Sequence, residues 1–251
     1  MLFIALISLP LLVKGQFNES IRSGRPGQAI GAYSVGKKVF QVQSGLTYNQ
    51  AQFDSDNQIR SYVVGTVLRA GVTEKLEVSG VINWRRDDIT SPEEGQILSG
   101  IGNTQIGARY NISKNQGAVP AIAIQGRALL TAQSQEYRRD KIGSKFILAT
   151  GNKVNDWLSI GTNWGVLWSG YGADPQSFYA LNFSFGLSDK IGAFAEIYGG
   201  LDEFNTYFDG GFSYLINLDL QLDLSAGWQG ENNITDWFVD GGISYRLNWR
   251  D

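Results

Sequence analysis

The chain has 251 residues, with 21 Lys and Arg against 24 Asp and Glu, a formal net charge of -3. It contains no His and no Cys, which excludes serine–histidine hydrolysis, imidazole acid–base chemistry, thiolate metal sites, cysteine nucleophiles and disulfides. We therefore expect no enzyme, no catalytic residue, no cofactor and no metal site. The acidic pI of about 5.1 and the lack of a basic block make nucleic acid a poor partner.

Taken in chain order, the first element is the apolar run Leu2–Val13 followed by Lys14-Gly15-Gln16. It is too short to span a bilayer as a helix and lacks strand alternation, so residues 1–15 read as a signal peptide. No Lys or Arg precedes the run, the one part of such a leader that is missing. Residues 16–38 do not alternate and carry Gly24-Arg25-Pro26-Gly27-Gln28, Gly31 and Gly36. They read as an irregular segment that either hangs in the periplasm or folds into a barrel mouth as a plug.

From residue 39 to 251 the apolar and polar residues alternate with a period of two. The alternation predicts strands over Val39–Phe53, Gln58–Val72, Lys75–Arg85, Thr104–Ile112, Val119–Thr131, Ser144–Gly151, Trp157–Trp168, Ser177–Leu187, Ile191–Gly199, Thr206–Leu215, Asp219–Trp228 and Trp237–Leu247. Most are near the ~9–11 residues that a tilted strand needs to cross a bilayer. No amphipathic helix is present to cover the apolar face of these strands, so lipid is the cover they call for. The alternative, a soluble two-sheet sandwich, also alternates. The expected fold is all-β: a single up-and-down antiparallel transmembrane β-barrel of about 12 strands in a bacterial outer membrane. Mean hydropathy near neutral, -0.16, fits such a barrel, because only every second residue is apolar.

The predicted connections alternate short and long, as in outer-membrane barrels with short periplasmic turns and longer external loops. The link 54–57 is the exception among the outer loops. With both termini periplasmic, the apolar parity places Tyr48, Tyr62, Trp84, Trp168, Tyr179 and Trp228 at the outer membrane interface. It places Phe40, Tyr110, Phe185, Tyr214 and Tyr245 at the inner one.

The polar parity is expected to line a lumen. Arg60, Arg69, Arg85, Arg109, Arg127 and Lys145 would form a basic wall with Glu77 as its one acid. Glu196, Asp209, Asp223 and Asp240 would form an acidic wall with Arg246 as its one base. Either the walls stay apart across a water-filled pore, or long Arg side chains reach across and pair with the carboxylates; the bridged, narrow lumen is the expectation. Gly107, Gly161, Gly186, Gly211, Gly227 and Gly242 share the inward parity, where a neighbouring long side chain can lie against the backbone.

The motifs Arg25-Pro26-Gly27-Gln28, Gln41-Val42-Gln43-Ser44-Gly45-Leu46-Thr47-Tyr48, Gly100–Asn103 through Gly107–Tyr110, Leu220–Gly227 and Gly242–Leu247 lie along most of the chain. On these the chain resembles the outer-membrane transporter family of the meta-pathway of phenol degradation. It departs at Asn103, where that family usually has an acid, and at Thr131-Ala132-Gln133, where it tends to have Pro-x-Gly. The resemblance implies an outer-membrane barrel. The resulting functional expectation is a barrel that passes or gates small solutes, apolar or aromatic ones among them, through a narrow charged lumen. The alternative is a closed structural or accessory subunit of a larger cell-envelope complex. Expected partners are outer-membrane lipid, a small-molecule solute and, under the alternative, an envelope protein complex.

Overall fold

The computed structural model describes residues 19–54, 56–172, 174–202, 205–231 and 234–249. The expected signal peptide lies outside them. Twelve antiparallel strands follow one another around a closed barrel: β1 Val39–Gln52, β2 Gln58–Gly71, β3 Leu76–Thr90, β4 Gln96–Ser113, β5 Ala121–Leu129, β6 Gly143–Lys153, β7 Leu158–Trp168, β8 Gln176–Gly186, β9 Ile191–Gly200, β10 Thr206–Asn217, β11 Leu220–Glu231 and β12 Ile234–Asn248. β1 closes the sheet on β12 in continuous register from Val39↔Asn248 to Gln52↔Thr235. Closure leaves every strand a partner on both sides, as a bilayer demands of any backbone that spans it. With an even number of strands, the start of β1 and the end of β12 lie at the same end of the barrel.

The barrel is inside-out relative to a water-soluble fold. Along β11, Gln221, Asp223 and Ser225 are buried while Leu222 and Leu224 are exposed; Leu224 is 58% accessible and its neighbour Ser225 only 4%. Period-two side-chain direction sorts the strand this way. Large apolar side chains cover the outer face from Leu46 to Tyr245, and the buried positions are mostly Gln, Asn, Ser, Arg, Asp and Glu. The buried apolar cluster is small: Ala121, Ala123 and Ala149 on the inner wall of β5 and β6, against Ala32.

Two strands, β3 and β4, run furthest beyond their hydrophobic pattern, and β6, β10, β11 and β12 exceed theirs by fewer residues. β3 continues to Thr90 and β4 begins at Gln96, so much of the loop predicted at 86–103 is sheet. Beyond Trp84 the charges Arg85-Arg86-Asp87-Asp88 make both faces polar, which erases the alternation while the backbone ladder continues. The pairing shifts register between Asn83↔Asn103 and Trp84↔Ile101, leaving Gly102 as the extra residue of a bulge. β5 is shorter than predicted and gives way to the connection 130–142, which holds one 3₁₀ turn at Gln135–Tyr137.

Candidate functional site

The residues 19–38 carry no strand, and their backbone is held by side chains of the inner wall. They enter at the end where β1 begins and β12 finishes: Ile21 N–H donates to Leu218 O at 2.7 Å, and Arg246 donates to Glu19 O at 2.6 Å. Further up, Ser23 and Ser244 hydroxyls meet at 2.7 Å, and Gln221 donates to Arg25 O at 3.0 Å. The segment then follows the wall. Glu196 of β9 accepts from Gln28 N–H at 2.7 Å and from Ala29 N–H at 2.9 Å. Asn163 of β7 bonds both polar groups of Ile30, and Asn111 of β4 donates to Ala32 O at 2.6 Å. Arg109 donates to Tyr33 O at 3.1 Å, and Glu77 of β3 accepts from Val35 N–H at 2.9 Å.

The arc therefore touches β12, β11, β9, β7, β4 and β3 in turn and descends to β1. At its neck the guanidinium of Arg22 lies 4.2 Å from the centroid of the Tyr33 ring, so entry and exit meet. Mostly backbone groups are recognised, which is what an extended peptide inside a polar barrel requires: each buried N–H and C=O needs a partner. Where the segment passes the end of β2, a Cβ on Gly71 would fall 1.6 Å from Gly36 O, so that approach needs glycine.

The charged candidates sort around this arc. Arg69 donates to Glu77 at 2.9 and 2.8 Å, and Arg109 stands 3.8 Å from the same carboxylate, all three buried. Asp223 and Asp240 both meet Arg25, the former at 3.1 Å, and Thr47 donates to Asp240 at 2.5 Å. A Cβ on Gly242 or Gly45 would overlap the Arg25 guanidinium, which lies flat against the wall there. The acidic wall is thus met by the N-terminal segment, where arginines of the opposite wall were expected. Arg246 pairs with Asp219 at 2.6 Å.

Arg85 pairs with Asp87 at 2.8 Å, and Glu196 also accepts from Asn182 at 3.0 Å. Asp209 is buried in register beside Glu196, and among the described residues both its carboxylate oxygens lack a hydrogen-bond partner. Arg127 reaches Gln105 at 3.5 Å, and Lys145 Nζ lies 4.5 Å from the centroid of the Phe178 ring.

One candidate is corrected. Arg60 is in register with Gln50 and Asp88 and shares the outward parity of Tyr62, so it stands on the outer surface and not in the lumen. Residues 60 and 62 must face the same way in a regular strand. Beyond the aromatic row, a charge on that face meets polar surroundings and costs little.

The aromatic candidates all lie on the outer parity. Tyr48 contacts Tyr62 and Trp237 at ring separations of 5.2 and 5.3 Å, and Phe146 meets Trp168 edge-on at 6.2 Å. Trp84 pairs in register with Val64, Tyr179 with Trp164 and Trp228 with Phe208. Near the end where β1 begins and β12 finishes, Tyr110 pairs with Leu76, Phe185 with Leu158, Tyr214 with Ile191, Tyr245 with Leu220 and Phe40 with Ala70.

Sequence reasoning passed over a second set of aromatics, on the inward parity. Phe178, Tyr198, Tyr207 and Phe238 alternate with Ala180, Glu196, Asp209 and Asp240, toward the opposite end of the barrel. Tyr198 and Tyr207 stack at 5.2 Å with 11° between their planes. A Cβ on Gly165 would fall 2.1 Å from the Phe178 ring, and one on Gly227 2.3 Å from that of Phe238, so both rings lie flat over glycine. Their signal was parity: each aromatic stands two residues from a small or acidic residue of the inward face.

The connection 130–142 lies at this end against the extension of β3 and β4 and the link that follows β7. Gln133 donates to Gly102 O at 2.7 Å, Arg139 to Asn103 Oδ1 at 3.1 Å, and Tyr171 OH to Tyr137 O at 2.8 Å. Tyr137 OH donates to Asp87 at 3.2 Å. Partial burial, then the Asp87 charge and this hydrogen bond, push the Tyr137 phenol up to about 12.

A closed twelve-strand barrel with apolar side chains outside and charged ones inside is a transmembrane β-barrel of the outer membrane. Residues 23–247 match the family model described as "Putative MetA-pathway of phenol degradation", and the chain belongs to that family. No curated protein matches the chain. Among solved structures it is similar to the COG4313 outer membrane channel from Pseudomonas putida F1, with TM-score 0.74 and 11% identity over 89% of this chain and 99% of that one. The KdgM porin in complex with disordered oligogalacturonate superposes with TM-score 0.55 and 12% identity, over 80% and 98% of the two chains. The toluene transporter TbuX of Ralstonia pickettii does so with TM-score 0.52 and 11% identity, over 86% and 90%.

Proposed function

We propose that this chain is an outer-membrane channel for small solutes with apolar or aromatic bodies, with both termini in the periplasm. The segment 19–38 narrows its periplasmic half, and the inward rings line the half that faces outward. The observation that carries this reading is the placement of Phe178, Tyr198, Tyr207 and Phe238 on the lumen parity, in a wall whose buried positions are mostly polar. An aromatic contact contributes only ~0.5–1.5 kcal/mol beyond area burial, enough to favour entry and weak enough to permit exit. Two structural neighbours, an outer membrane channel and a toluene transporter, agree with it in class. Both outward aromatic rows would then mark the interfaces, and the inward charges would serve first to hold the segment.

A second reading, a closed accessory barrel of an envelope complex, is favoured by the many bonds that tie residues 19–38 to the inner wall. Planar-bilayer recording separates the two. Channel function predicts discrete conductance steps that grow when residues 19–35 are deleted. A silent full-length protein, with no uptake of phenol into loaded liposomes above protein-free controls, would leave the closed barrel.

A further inference from the structure

We propose that Arg127 and Lys145, together with Phe178, form a binding site for an aromatic monocarboxylate in the outward half of the lumen. The inference rests on the channel reading and names one solute class within it.

Arg127 on β5 and Lys145 on β6 are direct register partners, both facing the lumen. Like charges placed opposite each other across two strands repel. Other inward cations have relieved their charge locally: Arg69 and Arg109 on Glu77, Arg25 on Asp223 and Asp240, Arg85 on Asp87. Among the described residues, Arg127 and Lys145 have no carboxylate within salt-bridge distance. Among the described residues the hydrogen bond of Arg127 goes to the neutral amide of Gln105 at 3.5 Å, and Lys145 leans on the Phe178 ring.

Neither residue is fully sealed away, since both keep intermediate exposure. A Cβ on Gly107 would fall 2.6 Å from Arg127 Cγ, so the glycine lets the arginine stem lie flat and present its guanidinium to the lumen. A carboxylate placed between the two would receive the planar fork of the arginine and the point charge of the lysine.

The ring specificity comes from the same wall. Phe178 lies beside Lys145 and over Gly165, and the stacked pair Tyr198 and Tyr207 continues the surface one and two strands on. An acid with a benzene ring can seat its carboxylate on the cations and its ring along these faces. On the same two strands, two residues from Tyr207 and Tyr198, Asp209 and Glu196 repel a second negative charge, which favours a monoanion.

The test is isothermal titration of the full chain, folded in detergent micelles, with benzoate. The expected result is saturable one-to-one binding, weakened at least tenfold by Lys145→Gln and by Arg127→Gln and retained within about threefold by Lys145→Arg. Heat-modifiable gel mobility reports that each variant is folded. Acetate, which lacks the ring, should bind at least tenfold more weakly, and benzylammonium should not compete. Absence of benzoate binding, equal binding by the double variant, or benzylammonium binding in place of benzoate would each overturn the site. Parallel bilayer recordings separate the two readings. Conductance without benzoate binding removes the site and keeps the channel, whereas benzoate binding without conductance keeps the site and removes the channel.

Discussion

Asn163 of β7 holds the peptide of Ile30 at both polar groups: its Oδ1 accepts from Ile30 N–H at 2.7 Å and its Nδ2 donates to Ile30 O at 3.0 Å. The side chain is 2% exposed, so it acts as one rung of sheet offered to a segment that is not in the sheet. Asn163→Leu keeps the volume and removes both bonds, leaving two backbone groups unmet at roughly 1–3 kcal/mol each. Hydrogen exchange at the Ile30 amide should quicken at least tenfold, while amides within β7 stay protected. Unchanged Ile30 exchange would mean that the segment is held without this contact.

Arg25 of the segment meets two inward carboxylates, Asp223 and Asp240. Arg25→Gln should cost ~3–5 kcal/mol, because Asp223 and Asp240 would stay in the wall without their cation. Adding Asp223→Asn should recover part of that loss, with a coupling above ~1 kcal/mol, whereas Arg127→Gln and Asp223→Asn should be additive within ~0.5 kcal/mol. Refolding titrations in lipid vesicles measure each term. Coupling of Asp223 to Arg127 in place of Arg25 would restore the expectation of walls bridged directly across the lumen.

The outer face should respond to charge by depth. Leu224 and Ile97 are both exposed on the outward parity, but Leu224 is mid-strand and Ile97 pairs with Asp88, beyond Trp84. Leu224→Arg is expected to lower stability by ~2–4 kcal/mol and Ile97→Arg by only ~0–1 kcal/mol. Equal losses in vesicles would argue against lipid on this face.

The connection 130–142 should loosen at high pH. The Tyr137 phenol is raised above its ordinary value of 10.0 to about 12. Its hydrogen bond to Asp87 therefore stabilises the folded connection fully below about pH 10 and is lost as pH rises through about 12. A difference titration of phenolate absorbance, parent minus Tyr137→Phe, should show one group with its midpoint near 12. A midpoint near 10 would place Tyr137 free in solvent.

The barrel was legible because lipid imposes period-two order over ten or so residues at a time, and twelve such stretches were readable from Val39 to Leu247. β11 shows how far that reached: the alternation Leu220–Trp228 coincides with alternating exposure in the wall. It failed at Arg85–Asp88, where both faces become polar, and at 96–103, where the bulge at Gly102 shifts the parity. It also misdirected Arg60, whose charge outweighed the parity it shares with Tyr62.

What the amino-acid order by itself determined is therefore the closed sheet, its two faces and the exclusion of histidine and cysteine chemistry. These depend on contacts between residues close in sequence and on residue type. The tertiary structure alone decided that Arg25 meets Asp223 and Asp240, that the peptide of Ile30 is held by Asn163, and that Arg127 and Lys145 stand together with no carboxylate in salt-bridge reach among the described residues. Those relationships depend on strand stagger and on where an irregular segment enters the barrel. Neither leaves a periodic trace, because backbone groups common to every residue carry most of the segment's binding.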